Sequence, residues 1–196
     1  MSSTEYYDKN TQEFYERTAN HDMSESYNAF LLLLPNKANI LDAGCGPGRD
    51  ARYFMNRGHN VMAFDASIEM VNFCTKLTEQ PALHLKLQDI TFQNQFDGIW
   101  ANASLLHVPF NELRSTFKKF NEALKSQGIL YASFKYGNEI ERKAEGRIFY
   151  DLNETKLIPY LDGFFDIIKI WREEDKFSWV VPSADNAWLR ILAKKI

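Results

Sequence analysis

The chain has 196 residues, 45% hydrophobic and 25% charged, with a formal net charge of −3. That length and balance fit one soluble globular domain with a substantial core, and they disfavour autonomous nucleic-acid binding, which needs a basic face. No apolar run reaches the roughly 20 residues that cross a bilayer, the start "MSSTEYYDKN" does not read as a signal peptide, and two cysteines, Cys45 and Cys74, build no disulfide framework, so a cytoplasmic setting without membrane attachment is expected.

In chain order, residues 11–20 and 24–34 read as helices; in the second, Tyr27, Phe30, Leu31 and Leu34 share a face. Residues 38–41 form a short buried strand. Residues 50–57 form a helix closed by Gly58. Residues 60–64 are a strand, and Ser67 is placed to cap a helix that carries Met70, Phe73, Cys74 and Leu77 inward. Residues 82–87 give a third strand and "FDGIWA", residues 96–101, a fourth. A helix over 111–125 closes at Gly128, and residues 129–134 are a fifth strand. Residues 136–150 are polar and glycine-punctuated, which suggests a loop or lid. A short helix over 153–160 precedes strands over 164–171 and 188–194, expected to pair antiparallel at a sheet edge.

This alternation predicts an α/β, Rossmann-like doubly wound sheet of about seven strands, mostly parallel, with an antiparallel C-terminal edge strand and an N-terminal helical cap. One domain is expected: residues 1–36 as cap, 37–135 as ligand-binding core, and 136–196 as lid and antiparallel edge.

The stretch "ILDAGCGPGRD" places Gly44, Gly46 and Gly48 just after the first strand. Glycines there permit positive φ and remove the Cβ atoms that would block a ligand; an ordinary tight turn is the plainer alternative. The spacing is G-x-G-x-G, one residue short of the dinucleotide fingerprint, and no G-x-x-x-x-G-K-[ST] loop occurs. Asp42, two residues before Gly44, would repel a pyrophosphate but suits a ligand with an ammonium group; a structural cap on the loop is its alternative. Asp65 ends the second strand, where a carboxylate grips ribose hydroxyls; its alternative is a helix cap. Asp89 in "QDI" supplies an acid at the third strand, suited to an adenine amino group beside the apolar Ile90; a turn residue is its alternative.

A ligand with adenosine, no phosphate and a cationic amino-acid portion is S-adenosylmethionine. Here the sequence resembles the class I S-adenosylmethionine-dependent methyltransferases over nearly its whole length. "ILDAGCGPGRD", "AFDAS", "LQDI" and "FDGIWANASLLHV" look like the family's four motifs. "YYDKNTQEFYERT", "SFKYG", "GRIFYD" and "AWLRILAKK" are similar to segments of small bacterial methyltransferases of the tellurite-resistance-like and general methyltransferase-domain type. The resemblance implies that Asp42, Gly44 and Gly46 lie against the methionine part and ribose, and that Arg49 meets the methionine carboxylate. It puts Asp65 on the ribose, Ala66 and Met70 near the adenine, Asp89 and Ile90 on the adenine amino group and ring, and Ala101 below the sulfur. Tyr7 and Arg17 would close over the cofactor, whose product is S-adenosylhomocysteine.

A sulfonium is already electrophilic, so the protein has to align the acceptor and exclude water; no metal is called for. Should an acceptor need a base, His107 in "SLLHVP" is the candidate, with a turn-organising loop histidine as the alternative. His21, His59 and His84 read as surface or packing residues, and Cys45 as a small loop residue. Tyr136, Arg142, Lys143, Arg147 and Phe149 fit either a lid for an anionic or aromatic acceptor or a solvated charged loop. Trp171, Trp179 and Trp188 are expected to pack the sheet edge. The expected partner is a small-molecule acceptor, with no direct nucleic-acid contact. An RNA methyltransferase working with a partner, a non-catalytic cofactor-binding protein and a nicotinamide-dependent oxidoreductase stay as alternatives. The acceptor and the oligomeric state are not legible.

Overall fold

The computed structural model describes residues 2–138, 140–175 and 186–196. Trp179 lies outside them. Seven strands form one sheet: β1 (Asn39–Ala43), β2 (Asn60–Asp65), β3 (Leu83–His84), β4 (Phe96–Ala101), β5 (Leu124–Lys135), β8 (Phe165–Glu174) and β9 (Ala187–Lys195). A separate two-stranded piece holds β6 (Ile140–Ala144) and β7 (Arg147–Asp151). The large sheet runs β3-β2-β1-β4-β5-β9-β8. Strands β1 to β5 are parallel, while β9 runs antiparallel to β5 and β8. This is the doubly wound sheet with the antiparallel pair at its C-terminal edge that the sequence predicts.

Side chains on the central strands alternate between two cores, as the period of two demands. Leu41, Ile99, Leu130 and Ala132 face the side covered by α5 (Phe110–Ala123), with Leu113, Phe117 and Phe120. Ile40, Trp100 and Tyr131 face α2 (Ser24–Leu31) and α3 (Arg49–Asn56), with Tyr27, Phe30 and Phe54. Trp100 stacks on Tyr131 with ring centroids 3.8 Å apart. Gly98 permits α2 to sit this close, since a Cβ there would lie 2.6 Å from Phe30 Cζ.

Four local expectations differ from the structure. The first helix, α1, spans Ser3–Thr18 rather than beginning at Thr11, opened by a Ser2/Glu5 capping box and broken in its helical dihedrals at Asn10. The third strand pairs over two residues only, because its partner β2 ends at Asp65; Leu87–Asp89 form a 3₁₀ turn instead. Helix α5 does not end on Gly128: Leu124 turns extended (φ −73°, ψ 143°), and the left-handed residue is Gln127 (φ 66°). Residues 140–151 are a hairpin, not a loop, with β6 and β7 paired antiparallel from Ile140–Asp151 to Ala144–Arg147. Helix α4 (Ile68–Thr78) begins as expected at Ser67, whose side chain accepts from Met70 N at 3.2 Å. Helix α6 (Glu154–Leu161) is capped by Asn153.

Strand order reverses between β1 and β4, and the crevice beyond their carboxyl ends is where such sheets hold ligands. Helix α1 spans that crevice. At one end Asp8 Oδ1 accepts from Ser67 Oγ at 2.6 Å; at the other, Ser3 Oγ accepts from Ile148 N of β7 at 2.9 Å.

Candidate active site

The loop after β1 is held by hydrogen bonds from both sides. Gly44 N and Cys45 N each donate to Phe64 O of β2 at 2.9 Å. Ser104 Oγ, beyond β4, donates to Ala43 O at 2.7 Å. Gly44 (φ 76°) approaches Ser104 so closely that a Cβ would lie 2.4 Å from Ser104 Cβ. Gly46 (φ 53°) is the opposite case: a Cβ there would meet only Phe14, 4.0 Å away. Gly46 thus faces open space, a cradle left by a missing side chain.

That space is a cavity of about 450 Å³. Its floor includes Gly44, Gly46, Arg49, Asp65, Ala66 and Met70, all expected as cofactor residues. Its roof includes Tyr7 and Arg17 of α1, also expected, and Arg147, Phe149 and Tyr150 of the hairpin. His107 lies on the wall between.

Asp65 sits at the tip of β2 and accepts from Gly46 N and Ser67 N, each at 2.9 Å. Burial raises its pKa, against the pull of those backbone donors. Arg49 donates through Nε to Asp50 at 2.6 Å and through Nη1 to Thr18 O at 3.2 Å, placing a cation where α3 begins.

Four expected residues lie off the cavity wall. Asp42 is 2% exposed, its Oδ2 has no hydrogen-bond partner among the described residues, and burial, aided by Asp50, pushes its pKa well up. Asp89 is exposed, because the 3₁₀ turn rotates each residue by about a third of a circle and turns Gln88 to the cavity in its place. Ile90 and Ala101 are buried in the core under α5.

Sequence reasoning missed Asp50, the acid in "GRD". It is 6% exposed, lines the cavity and accepts from Arg49 Nε, Tyr27 Oη, Trp100 Nε1 and Asn102 Nδ2. Burial disfavours its charge, yet Arg49 and these donors hold its pKa below the ordinary value. An acid in the first turn of a helix whose face is otherwise apolar was the available signal. Trp188, expected to pack the sheet edge, also lines the cavity, beside Lys135.

The roof carries a directed hydrogen-bond chain. Ile148 O, a pure acceptor, lies 2.6 Å from His107 Nδ1, so Nδ1 holds the proton. His107 Nε2 then accepts from Tyr7 Oη at 2.9 Å. Tyr7 Oη in turn accepts from Arg147 Nη1 at 3.5 Å. Burial, with Arg147 nearby, lowers His107 to about 4.

Residues 41–132 match the family described as "Methyltransferase domain". Over that stretch, just under half of the chain, the sequence is similar to a methyltransferase domain. It is 33% identical over 111 residues to malonyl-[acyl-carrier protein] O-methyltransferase of Salmonella typhimurium, covering 54% of this chain and 43% of that protein. The chain thus spans under half the length of that curated relative. An uncharacterized methyltransferase of Staphylococcus carnosus is 23% identical over 189 residues, covering 85% of this chain and 91% of that one. Among solved structures, the Burkholderia thailandensis 1,6-didemethyltoxoflavin-N1-methyltransferase, with 1,6-didemethyltoxoflavin and S-adenosylhomocysteine bound, superposes with a TM-score of 0.75 at 21% identity, over 97% of this chain and 84% of that chain. The methyltransferase fold accounts for the site's position at the β1–β4 reversal. No described helix is long and apolar enough to cross a membrane.

Proposed function

We propose that the protein transfers a methyl group from S-adenosylmethionine to a small-molecule acceptor, in the cytoplasm. One observation carries this: a single cavity joins the Gly46 cradle and the Asp65 carboxylate to a roofed pocket under α1 and the hairpin. The residues present suit the cofactor. Gly46 leaves room for it, Asp65 keeps lone pairs for ribose hydroxyls, Arg49 offers a cation to its carboxylate, and Gln88 lines the cavity with a polar side chain that suits an adenine edge.

When bound, S-adenosylmethionine supplies a methyl group activated by the sulfonium. The chain's own residues do the rest. Helix α1 covers the crevice and excludes water, and Asp50 fixes Arg49, Trp100 and Asn102 around it. A cavity closed over by α1 and β7 suits a small acceptor better than an RNA strand, and a net charge of −3 favours the same choice.

Calorimetric titration with S-adenosylhomocysteine tests the reading. The intact protein binds it, and Asp65→Ala weakens binding by at least tenfold. A folded wild-type protein that takes up neither S-adenosylmethionine nor S-adenosylhomocysteine would refute it.

A further inference from the structure

The cavity is rich in protonatable groups, yet His107, Asp50, Asp65 and Lys135 on its wall are poorly placed to take a proton from an acceptor. His107 donates from Nδ1 to a carbonyl, and its Nε2 already accepts from Tyr7. A second proton would put a cation beside Arg147 in a buried site. Asp50 is committed to four donors, and Asp65 to Gly46 and Ser67. Lys135 is ion-paired with Asp175. A neutral alcohol, phenol or ammonium acceptor would need a base that none of these four offers.

The same wall holds a buried cation. Arg147 is 5% exposed, and its Nε has no hydrogen-bond partner among the described residues. Its Nη2 pairs with Glu145, a side chain 49% exposed at the rim of the hairpin. Its guanidinium lies 4.4 Å from the Tyr6 ring centroid and 5.1 Å from that of Phe149. A guanidinium set among rings, with an N–H lacking a protein acceptor, matches a planar carboxylate. Burying that N–H without a partner costs free energy, and Arg147 lines the cavity, where an anion can answer its charge. Leu106, Val108 and Phe149 on the adjoining cavity wall suit an apolar body.

Resting on the methyltransferase reading, we infer that the acceptor is an organic acid whose carboxylate is oriented by Arg147 and is itself the nucleophile. A lone pair of the carboxylate oxygen forms the O–CH₃ bond as the S–CH₃ bond breaks. Its electron pair stays on sulfur, and the products are a neutral methyl ester and neutral S-adenosylhomocysteine. No proton moves, so the acceptor is already ionised at neutral pH and the missing base is accounted for.

The test uses the full chain saturated with S-adenosylhomocysteine, after that binding has been measured by calorimetry. Failure at this first step overturns the methyltransferase reading itself. The protein is then titrated with matched pairs: phenylacetate and phenylacetamide, benzoate and benzamide, hexanoate and hexanamide. At least one acid binds, its amide binds at least tenfold more weakly, and with S-adenosylmethionine the acid yields a methyl ester by mass spectrometry. Arg147→Gln weakens the acid at least tenfold, while the Kd for S-adenosylhomocysteine moves less than threefold. Should that variant lose its fold, the acid–amide comparison on the wild type decides. Binding of no acid, equal binding of acids and amides, or an Arg147→Gln variant that keeps full affinity for the acid would each overturn the inference.

Discussion

The floor and the roof of the cavity are built by different rules. The floor is made of strand tips and the loops that leave them, its residues lying within the 28 positions from Ala43 to Met70, with Ser104 and Thr18 bracing it from outside that stretch. Gly46 and Asp65, which hydrogen-bond to each other, are 19 residues apart. The roof joins α1 to the β6–β7 hairpin and the wall after β4; Tyr7 meets His107 across 100 residues, and Ser3 meets Ile148 across 145. The floor is encoded locally, while the roof is assembled from parts brought together only by folding.

The contrast breaks most sharply at Gly44. Alanine there would carry a Cβ 2.4 Å from Ser104 Cβ, at a φ of 76° that disfavours any side chain. Ser104 cannot yield freely, because its hydroxyl holds Ala43 O. Overpacking of about 1–3 kcal/mol and backbone strain of about 1–3 kcal/mol add at one position. Gly44→Ala is therefore expected to lower Tm by several degrees and to abolish measurable S-adenosylhomocysteine binding in calorimetry. Gly58→Ala, where a Cβ meets nothing within 4 Å despite a φ of 84°, costs only the φ term and keeps cofactor affinity.

Asp50 joins the two halves. Asp50→Asn leaves Arg49, 17% exposed, without its buried counter-ion. Breaking such a pair costs about 3–5 kcal/mol, measurable by chemical denaturation. The pH sign follows from a folded pKa held below the ordinary 3.8. The stabilisation is complete above the unfolded value and is lost as pH falls below about 3.8 through the folded pKa. Wild type and variant should therefore converge in stability below that pH; a gap that stays constant down to pH 2 would show that the charge is not what Asp50 contributes.

Much of the floor was legible because its signals are local. Apolar runs ending on Asp42 and Asp65, three glycines in five residues and a capping serine at 67 each name their own structure. Asp89 lies off the cavity wall, since adjacency in sequence cannot say which residue of a 3₁₀ turn faces inward. The hairpin read as a loop because "IERKA" offers no apolar stripe, its strands pairing only with each other. Arg142 and Arg147 looked like solvated charge, yet Arg142 pairs with the buried Asp151 and Arg147 is itself buried. The first half of α1 was missed for a similar reason; its signal was the Ser2/Glu5 capping box, not hydrophobic period.

On the roof, His107 makes a smaller, pH-specific prediction. Its folded pKa of about 4 lies below the unfolded value of 6.5, so the unfolded chain binds the extra proton first. The neutral imidazole's contribution is complete above pH 6.5 and is lost as pH falls from 6.5 toward 4, by about 2–3 kcal/mol. His107→Gln can still bridge Ile148 O and Tyr7 Oη without titrating. Its stability should fall less steeply across that window than the wild type's. His21, also lowered to about 4 mainly by burial, keeps part of the slope in both proteins. An unchanged slope in the variant would mean that His107 does not stay neutral in the fold.

The smallest effect is the one whose sign discriminates best. Glu145 is half-exposed and pairs with the buried Arg147, so as a stabilising ion pair it is worth about 0–1 kcal/mol. If Arg147 serves only to hold the hairpin, Glu145→Gln costs that amount and does nothing to acid binding. If Arg147 orients a carboxylate, Glu145 competes with the ligand for the same guanidinium. Removing its charge should then tighten phenylacetate, or whichever acid binds, about two- to fivefold, and leave the matched amide and S-adenosylhomocysteine unmoved. The gain should shrink as salt is raised, since the rim is open to solvent. A loss of acid affinity in Glu145→Gln would instead mean that the ion pair presents Arg147 to the cavity, making the rim a part of the roof and not a competitor to it.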